Sequence, residues 1–200
     1  AQAVTIVVRV EPGADAAATT SNVIGTTTAS GQKTGLQALL AAQGQLGYKP
    51  RIIGAPDLDT EPVAVELGVV AEQLKGFTYV AARKADGMAY ATTKEEATTY
   101  RAKFGKREMM VVWPNFLAWD TVSNDIETEP ATAYALGLRA KLDQQIGWHK
   151  TLSNIVVNGP QGMSADVFFD LQSPSSDTTY LNALEVTTII NGSGYRFWGN

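Results

Sequence analysis

The sequence predicts an α/β fold: a layered sheet of mostly parallel strands flanked by helices, with a less regular C-terminal portion. The first observation is an unbroken apolar run over residues 109–113, which Pro114 ends. A strand with one solvated face alternates polar and apolar residues, so a continuous run predicts a strand that helices cover on both faces. The second observation is that short apolar runs alternate with helical patterns along the chain. The third is a glycine after each helical pattern: Gly47, Gly76, Gly105 and Gly147.

The first part of the chain predicts one strand, one loop and one helix. Residues 4–10 are rich in β-branched side chains and predict a strand. Residues 14–33 are rich in Ala, Thr, Ser and Gly, which predicts an exposed loop insertion with at most a short edge strand. Thr34 and Gln37 have the spacing of a capping box, so a helix is predicted to begin at Thr34 and to end at Gly47.

Two further strand and helix units lead into the central apolar run. Residues 51–55 predict a short strand, and residues 57–60 contain the Asp and Thr side chains that favour a helix start. The apolar positions of that helix recur at helical spacing: Val63, Leu67, Val70 and Leu74. Residues 77–82 predict the next strand, and Thr93 with Glu96 forms a second capping box. Successive units of this kind predict parallel strands with right-handed crossovers.

The chain after the central run becomes less regular towards its end. Residues 120–129 predict an acidic loop, and a long helix is predicted to begin at Thr128 and Pro130. Its apolar stripe comprises Tyr134, Leu138, Leu142 and Ile146. The remaining predictions are a strand over residues 155–157, a helix or strand over 167–171, a loop over 172–179 and a strand over 186–190.

Length and composition predict one domain and argue against several classes of partner. A chain of 200 residues with 44% hydrophobic and 18% charged residues is typical of one globular α/β domain. A net charge of -4 and no apparent local cluster of Lys and Arg predict that it does not bind nucleic acid. No apolar run approaches the roughly 20 residues that span a bilayer, so no membrane partner is expected. Three aromatic residues in the last six predict a fragment of a longer chain.

The strongest catalytic candidates are Asp57 and Asp59. An apolar strand that leads into Asp-x-Asp-x-Thr resembles the first motif of haloacid-dehalogenase-like phosphotransferases. That resemblance implies that Asp57 attacks phosphorus and Asp59 acts as acid and base. The sequence departs from the motif at Ala55 and Pro56, and no later pair of acidic residues offers magnesium ligands. Helix capping by Asp and Thr explains the same residues and is the favoured interpretation.

The other candidate groups lack the residues that a recognisable site requires. His149 is the only histidine, and no Gly-x-Ser-x-Gly motif accompanies it. No glycine-rich nucleotide loop follows a predicted strand, and the acidic loop lacks the spacing of an EF-hand. We therefore predict no catalytic, cofactor-binding or metal-binding residue, and we expect the tryptophans to anchor a core or an interface. They are Trp113, Trp119, Trp148 and Trp198.

Several stretches together resemble the contractile tail sheath proteins of myovirus-type phages and prophages, those of temperate enterobacterial myophages above all. The stretches that carry the resemblance are Val111-Val112-Trp113-Pro114, Leu117-Ala118-Trp119-Asp120, residues 147–154 and residues 194–200. Residues 20–25, 34–40 and 137–143 are similar too, so the likeness covers nearly the whole chain. No single motif is diagnostic, but their order and spacing are specific.

The resemblance implies a structural subunit without enzymatic activity or cofactor. Sheath proteins form hexameric rings that stack around the tail tube, and a baseplate triggers the contraction that drives the tube through the host envelope. The implied partners are neighbouring sheath subunits, tube proteins and baseplate proteins, in a virion tail that assembles in the host cytoplasm. The motif over residues 196–200 leads into a further domain in the family, so this fragment is expected to be monomeric or weakly associated.

The resemblance also focuses attention on exposed loops as contacts between subunits. The candidate contact segments are residues 14–33, 120–129 and 172–179, because loops lie on the surface. The aromatic segment with Phe116, Leu117 and Trp119 either packs the domain or meets a missing neighbour. If Trp119 and Trp198 lie on a bare apolar patch, an absent domain or subunit is its natural cover. The remaining alternative is a non-catalytic binding module that recognises one discrete partner.

Overall fold

Two sheets of different type organise the strands in the computed structural model, which describes residues 4–199. The strands are β1 (Ile52–Ile53), β2 (Phe77–Ala81), β3 (Met109–Val112), β4 (Phe116–Asp120), β5 (Asp125–Glu129), β6 (Gly162–Met163), β7 (Val186–Asn191) and β8 (Tyr195–Trp198). The helices are α1 (Ala16–Ile24), α2 (Ala42–Leu46), α3 (Glu61–Leu74), α4 (Lys94–Arg101), α5 (Ala131–Gln145) and α6 (Asp177–Ala183). A 3₁₀ helix over Gly35–Ala41 directly precedes α2. None of the helices described is long and apolar enough to cross a membrane.

The main sheet is mostly parallel and confirms the predicted α/β class. Its strand order is β1-β2-β3-β7-β8, and all neighbours are parallel except β7 and β8. The second sheet has the order β5-β4-β6 and is antiparallel throughout. The sequence did not predict this second sheet, because β5 reads as a charged loop and β6 has only two residues.

Strand β3 separates two hydrophobic clusters and confirms the strand predicted to be buried on both faces. Met109 and Val111 pack in the cluster that contains the buried face of α3. Val112 lies in the cluster that contains the buried face of α5, and Met110 packs against that cluster. Successive side chains of a strand point to opposite faces, so an unbroken apolar run supplies both clusters at once.

Helix α3 begins and ends close to the predicted positions, but the predicted capping by Asp and Thr is wrong, because Thr60 makes no side-chain cap hydrogen bond. Pro62 lies in its first turn, where a missing N–H group costs no hydrogen bond. Lys75 rather than Gly76 adopts the left-handed conformation after the helix, with φ 54°. Gly76 is needed for another reason: a Cβ atom at this position would lie 2.5 Å from the carbonyl oxygen of Arg51. The glycine therefore permits α3 to turn closely past the start of β1.

Residues 4–10 do not form the predicted strand. The segment belongs to no sheet among the residues described. The segment is extended against the core, because Ile6, Val8 and Val10 pack there while Val7 is 81% exposed. No described strand lies alongside to complete a sheet.

Residues 14–33 contain a helix in place of the predicted loop. Helix α1 begins after Asp15, whose carboxylate accepts a hydrogen bond from the backbone N–H of Ala18 at 2.7 Å. Val23 of this helix is buried in the core. The end of the segment is bridged by Thr27 and Lys33. The small polar composition was misleading because one aspartate cap and one buried valine suffice to hold a short helix.

Two predicted helix starts had different outcomes. Thr93 and Glu96 form the complete capping box at the start of α4, as predicted. Thr34 makes no cap hydrogen bond, and a 3₁₀ helix follows it. Its hydroxyl group instead bonds to the backbone of Thr26 at 3.0 and 3.1 Å, because this turn brings Thr26 within reach.

The C-terminal portion is irregular, as predicted, but its elements differ in detail. The acidic segment 120–129 includes β5 and therefore forms a hairpin with β4 rather than a loop. Residues 155–157 contribute only an isolated bridge between Val156 and Arg196, and residues 167–171 form neither helix nor strand. Helix α6 begins within the predicted loop 172–179, where the Ser176 hydroxyl accepts a hydrogen bond from the Thr179 N–H.

Candidate functional site

The predicted catalytic pair lies at the carboxyl ends of β1 and β2, the edge where ligands bind in many open α/β sheets. Asp57 and Asp59 follow β1, and Arg83 follows β2. The two loops meet, because Arg83 lies between the two aspartates. The question is whether this cluster leaves a nucleophile free to react.

Asp59 is a structural anion. Its side chain is 0% exposed and forms a salt bridge with Arg83. The backbone N–H of Ala81 donates a second hydrogen bond to the carboxylate at 2.6 Å. Burial raises the pKa of Asp59 above its ordinary value, while the Arg83 guanidinium and the Ala81 amide act in the opposite direction. Enclosed in this way, Asp59 has no path to an external substrate.

Arg83 connects the two loops through their backbones as well. It donates hydrogen bonds to the carbonyl oxygens of Met88 at 2.7 Å and Asp57 at 3.2 Å. Its guanidinium group also stacks on the ring of Tyr90, 4.0 Å from the centroid. Burial raises the pKa of Tyr90, whose hydroxyl group therefore acts as a donor.

Asp57 is exposed but serves a turn. Its backbone has φ 67°, a left-handed conformation that aspartate tolerates better than most residues. Its Oδ1 atom accepts a hydrogen bond from the Tyr90 hydroxyl at 2.9 Å. Among residues 4–199, no group of three His, Cys, Asp or Glu side chains is placed to hold a metal ion. The cluster fixes two loops, and its geometry does not support the phosphotransferase hypothesis.

The predicted acidic contact segment forms most of a protruding structure that we term the acidic hairpin: β4, β5 and the turn at residues 121–124. Facing residues in an antiparallel pair share one side of the ribbon. The pairs Asp120–Asp125 and Ala118–Glu127 therefore place three carboxylates on one side, and Glu129 follows on the same side. The carboxylates of the hairpin are Asp120, Asp125, Glu127 and Glu129.

The opposite side of the acidic hairpin is apolar and exposed. Trp119 and Ile126 face each other across the strands, and Trp119 is 51% exposed. Val122 in the turn is 88% exposed. The turn itself is ordered, because Asp120 accepts hydrogen bonds from the N–H groups of Val122 and Ser123, each at 3.1 Å. These two bonds lower the pKa of Asp120.

A basic groove lies at the amino ends of β1, β2 and β3, and the sequence did not reveal it. The groove has a volume of about 1100 Å³. Its lining includes seven cationic side chains: Arg51, Lys75, Arg101, Lys106, Arg107, Arg139 and Lys150. Only two carboxylates, those of Asp143 and Glu185, line it. The prediction that no local cluster of Lys and Arg exists was therefore wrong.

The signal for the groove was present but scattered. Arg51, Lys75 and Arg107 stand one or two residues before successive parallel strands. The amino ends of parallel strands meet at one edge of a sheet, so the predicted fold would have brought these three cations together. Arg139 and Lys150 reach the same edge from α5 and the loop after it.

The tryptophans and the histidine divide between core and surface. Trp113 is buried and donates a hydrogen bond to the carbonyl oxygen of Ala91 at 2.9 Å. Trp198 is half-buried and packs on Phe169, with ring centroids 5.1 Å apart. Trp148 is 85% exposed beside the basic groove, which the exposed His149 also lines. Trp119 thus lies on an exposed apolar surface, whereas Trp198 is half-buried.

Comparison of the sequence with known proteins gives a consistent picture. The family model of the phage tail sheath protein central domain matches residues 31–200. The chain is 52% identical over 203 residues to the tail sheath protein of Escherichia phage P2, covering 98% of this chain and 50% of that protein. It is 50% identical to the major tail sheath protein of Serratia phage KSP20, covering 98% and 49%. The chain thus spans about half the length of these relatives.

Solved structures with the same fold come from contractile assemblies. The helical sheath of the anti-feeding prophage in its contracted state superposes with a TM-score of 0.54 at 22% identity, covering 82% of this chain and 42% of that one. The sheath of the extracellular contractile injection system PVC, also contracted, gives a TM-score of 0.55 at 16% identity, covering 83% and 43%. At these identities the likeness concerns the fold.

Proposed function

Because this chain belongs to the phage tail sheath family, whose members are structural rather than enzymatic proteins, we propose that it is a structural domain of a contractile tail sheath. The observation that carries the proposal is the family match over residues 31–200. The geometry of the Asp57 and Asp59 cluster supports it, because both side chains are committed to holding loops together.

The proposed role requires the domain to keep its shape while its contacts change. Two clusters of buried side chains on either side of β3 make the interior close-packed. Close-packed interiors resist continuous deformation, and bistable contacts reside at interfaces. Contraction therefore exchanges contacts between subunits and leaves the domain itself rigid. In this proposal the neighbours form hexameric rings around a tail tube, with baseplate proteins at one end of the stack.

The three predicted contact segments differ in how well they suit this role. The acidic hairpin protrudes and exposes both charged and apolar side chains. Residues 14–33 present the exposed face of α1 and the following turn, while Val23 is buried in the core. Ser176 and Thr178 of the segment 172–179 are buried, so this segment offers less surface. The acidic hairpin is the strongest candidate for an intersubunit contact.

Electron microscopy tests the proposed function directly. A protein of the relatives' length that contains this chain should form tubes or stacked rings in negative stain. A variant in which a buried core residue is charged, Leu67→Asp, serves as an unfolded control and should form none. Dispersed particles of the folded protein at every salt concentration would contradict the proposal.

A further inference from the structure

The basic groove carries an excess of positive charge that the described part of the chain does not neutralise. Three of its cations have carboxylate partners: Arg101 pairs with Glu185, Arg139 with Asp143, and Lys106 with Glu72. Four others make no salt bridge among residues 4–199. They are Arg51, Lys75, Arg107 and Lys150.

The acidic hairpin carries an excess of negative charge. Its four carboxylates make no salt bridge within the described residues, and no Lys or Arg occurs between Phe116 and Pro130. The excess of four negative charges on the hairpin thus equals in size the excess of four unpaired cations in the groove. Complementary charge of this kind steers association and sets its register.

Apolar side chains accompany the charges on both surfaces. The groove is lined by Phe77, Met110 and the exposed indole of Trp148 as well as by cations. The hairpin exposes Trp119 and Ile126 on the side opposite its carboxylates, so a groove that encloses the hairpin contacts both sides. A volume of about 1100 Å³ exceeds the range of typical small-molecule pockets and suits a segment of polypeptide.

The two surfaces lie at opposite ends of the same strand. The groove includes Met109 and Met110 at the start of β3, whereas the hairpin begins four residues after β3 ends. One copy therefore cannot fill its own groove with its own hairpin without breaking the sheet. Contacts between two different patches are heterologous, and they generate closed rings or open helical stacks.

We propose that the basic groove of one copy binds the acidic hairpin of a second copy. Copies then associate head to tail, because the two contact surfaces lie at opposite ends of β3. This inference rests on the proposed sheath function, since it names one contact within that assembly. Lys75, Arg107 and Lys150 of the groove meet Asp125 and Glu127 of the neighbouring hairpin. Trp148 of the groove and Trp119 of the hairpin bury apolar surface at the same contact.

The apolar component favours a polypeptide over nucleic acid. Nucleic acid requires a continuous track of cations along its backbone. Here the unpaired cations form one compact set in a chain whose net charge is -4. The exposed Trp148 offers a surface on which a base can stack. The test must therefore distinguish binding of the hairpin from binding of a single-stranded oligonucleotide.

Charge exchange between two variants tests the pairing. The groove variant carries Arg107→Glu and Lys150→Glu, and the hairpin variant carries Asp125→Lys and Glu127→Lys; all four substitutions target side chains without a salt bridge. In a protein of the relatives' length that contains this chain, each variant alone should associate at least about tenfold more weakly than the wild type in sedimentation velocity, because like charges then face each other. An equimolar mixture should regain association, since each acidic surface again meets a basic one.

Matched controls and a direct contact measurement complete the test. Lys141→Glu and Asp166→Lys reverse exposed charges outside both surfaces and should leave association unchanged. A zero-length carbodiimide cross-linker applied to mixed light and heavy-isotope wild-type chains should join Lys75 or Lys150 of one copy to Asp125 or Glu127 of another.

Absence of groove-to-hairpin cross-links, or no recovery in the mixture of variants, overturns the inference. Association that persists unchanged while a single-stranded oligonucleotide occupies the groove at physiological salt also overturns it, because the groove is then not the contact. If electron microscopy shows tubes but these cross-links are absent, the groove-to-hairpin contact is wrong, and the proposed sheath function is not affected. If the folded protein forms no tubes, the proposed function is wrong. The cross-links then still show whether the groove binds the hairpin.

Discussion

At the scale of single residues, the most constrained group is the buried ion pair of Asp59 and Arg83. Both side chains are almost completely enclosed, and each has further hydrogen bonds to the backbone. A buried salt bridge adds little stability compared with apolar residues of the same shape, but breaking it leaves an uncompensated buried charge. Its value here is positional, since it fixes the loop after β1 against the loop after β2.

The substitution Asp59→Asn should lower the free energy of unfolding by about 3–5 kcal/mol, because Arg83 then becomes an unpaired buried cation. Urea denaturation followed by circular dichroism measures the loss. The control Asp57→Asn changes an exposed residue two positions away, keeps a left-handed residue type and retains an acceptor for Tyr90. It should cost less than about 1 kcal/mol. Equal losses in both variants would contradict the structural role assigned to Asp59.

At the scale of elements, the helices depend on local caps that can be tested one at a time. The capping box of α4 joins the Thr93 hydroxyl to the Glu96 N–H and the Glu96 carboxylate to the Thr93 N–H. Glu96 also accepts hydrogen bonds from Thr92, and these contacts lower its pKa. Helix α4 is only eight residues long, so its termini account for much of its stability.

Removal of the cap, Thr93→Ala, should destabilise the protein by about 1 kcal/mol, because the first turn of α4 loses a hydrogen-bond acceptor. Thr99→Ala is the matched control, since Thr99 lies in the same helix on its exposed side. This control should be neutral or slightly stabilising, as alanine is the better helix former. The urea midpoints of the two variants measure the difference in stability. A loss of stability in Thr99→Ala as large as that in Thr93→Ala would refute the role of the cap.

The start of α6 should make stability depend on acid pH. The Lys94 ammonium group, 2.5 Å from the Asp177 carboxylate, and the Phe168 N–H lower the pKa of Asp177. A carboxyl group with a lowered folded-state pKa stabilises the fold above its unfolded-state value of about 3.9 and loses that contribution as pH falls through the folded-state value. The difference in unfolding free energy between wild type and Asp177→Asn should therefore shrink from about pH 5 downwards.

Lys94→Met removes the same ion pair from the other side and serves as its companion. Its difference from wild type should shrink over the same acid range. A difference that stays constant from neutral pH to about pH 2 would show that the pair contributes nothing through charge.

At the scale of the whole molecule, the aromatic residues beyond β3 hold the two sheets together. Phe116 of β4 is fully buried and contacts Tyr134 of α5 and Phe197 of β8, with ring centroids 4.9 and 5.5 Å apart. The small antiparallel sheet therefore packs against both the main sheet and a helix. The acidic hairpin is anchored at its base while its tip remains exposed.

Truncation of this anchor, Phe116→Ala, should cost about 3–5 kcal/mol of unfolding free energy, because it leaves a cavity between the sheets. Val122→Ala in the exposed turn of the same hairpin should change stability by no more than about 0.5 kcal/mol. Differential scanning calorimetry distinguishes the two. A small effect at Phe116 would mean that the hairpin is held by other contacts.

The sequence predicted the parts of the fold that depend on local patterns. The run at residues 109–113 predicted a doubly buried strand, and Thr93 with Glu96 predicted a cap; both are confirmed. Helix α1 was missed because Thr, Ser and Asn residues, which favour turns and caps, follow its three alanines and hide the cap at Asp15 and the buried Val23.

The basic groove was missed for a different reason. Its cations are spread over about 100 residues of sequence, from Arg51 to Lys150, and only the order of the parallel strands brings them together. The segment 4–10 was misassigned because β-branched composition favours an extended chain but cannot supply a neighbouring strand.

The position of β3 has a mechanical consequence. If copies are joined from groove to hairpin, a pulling force enters near Met109 and leaves near Phe116, along the axis of the strand. β3 lies between two parallel neighbours, β2 and β7, so the force acts as shear on both ladders. Shear loads all hydrogen bonds of a ladder together, whereas a peeling force breaks them one after another. The main sheet is thus oriented to transmit tension between subunits without unravelling.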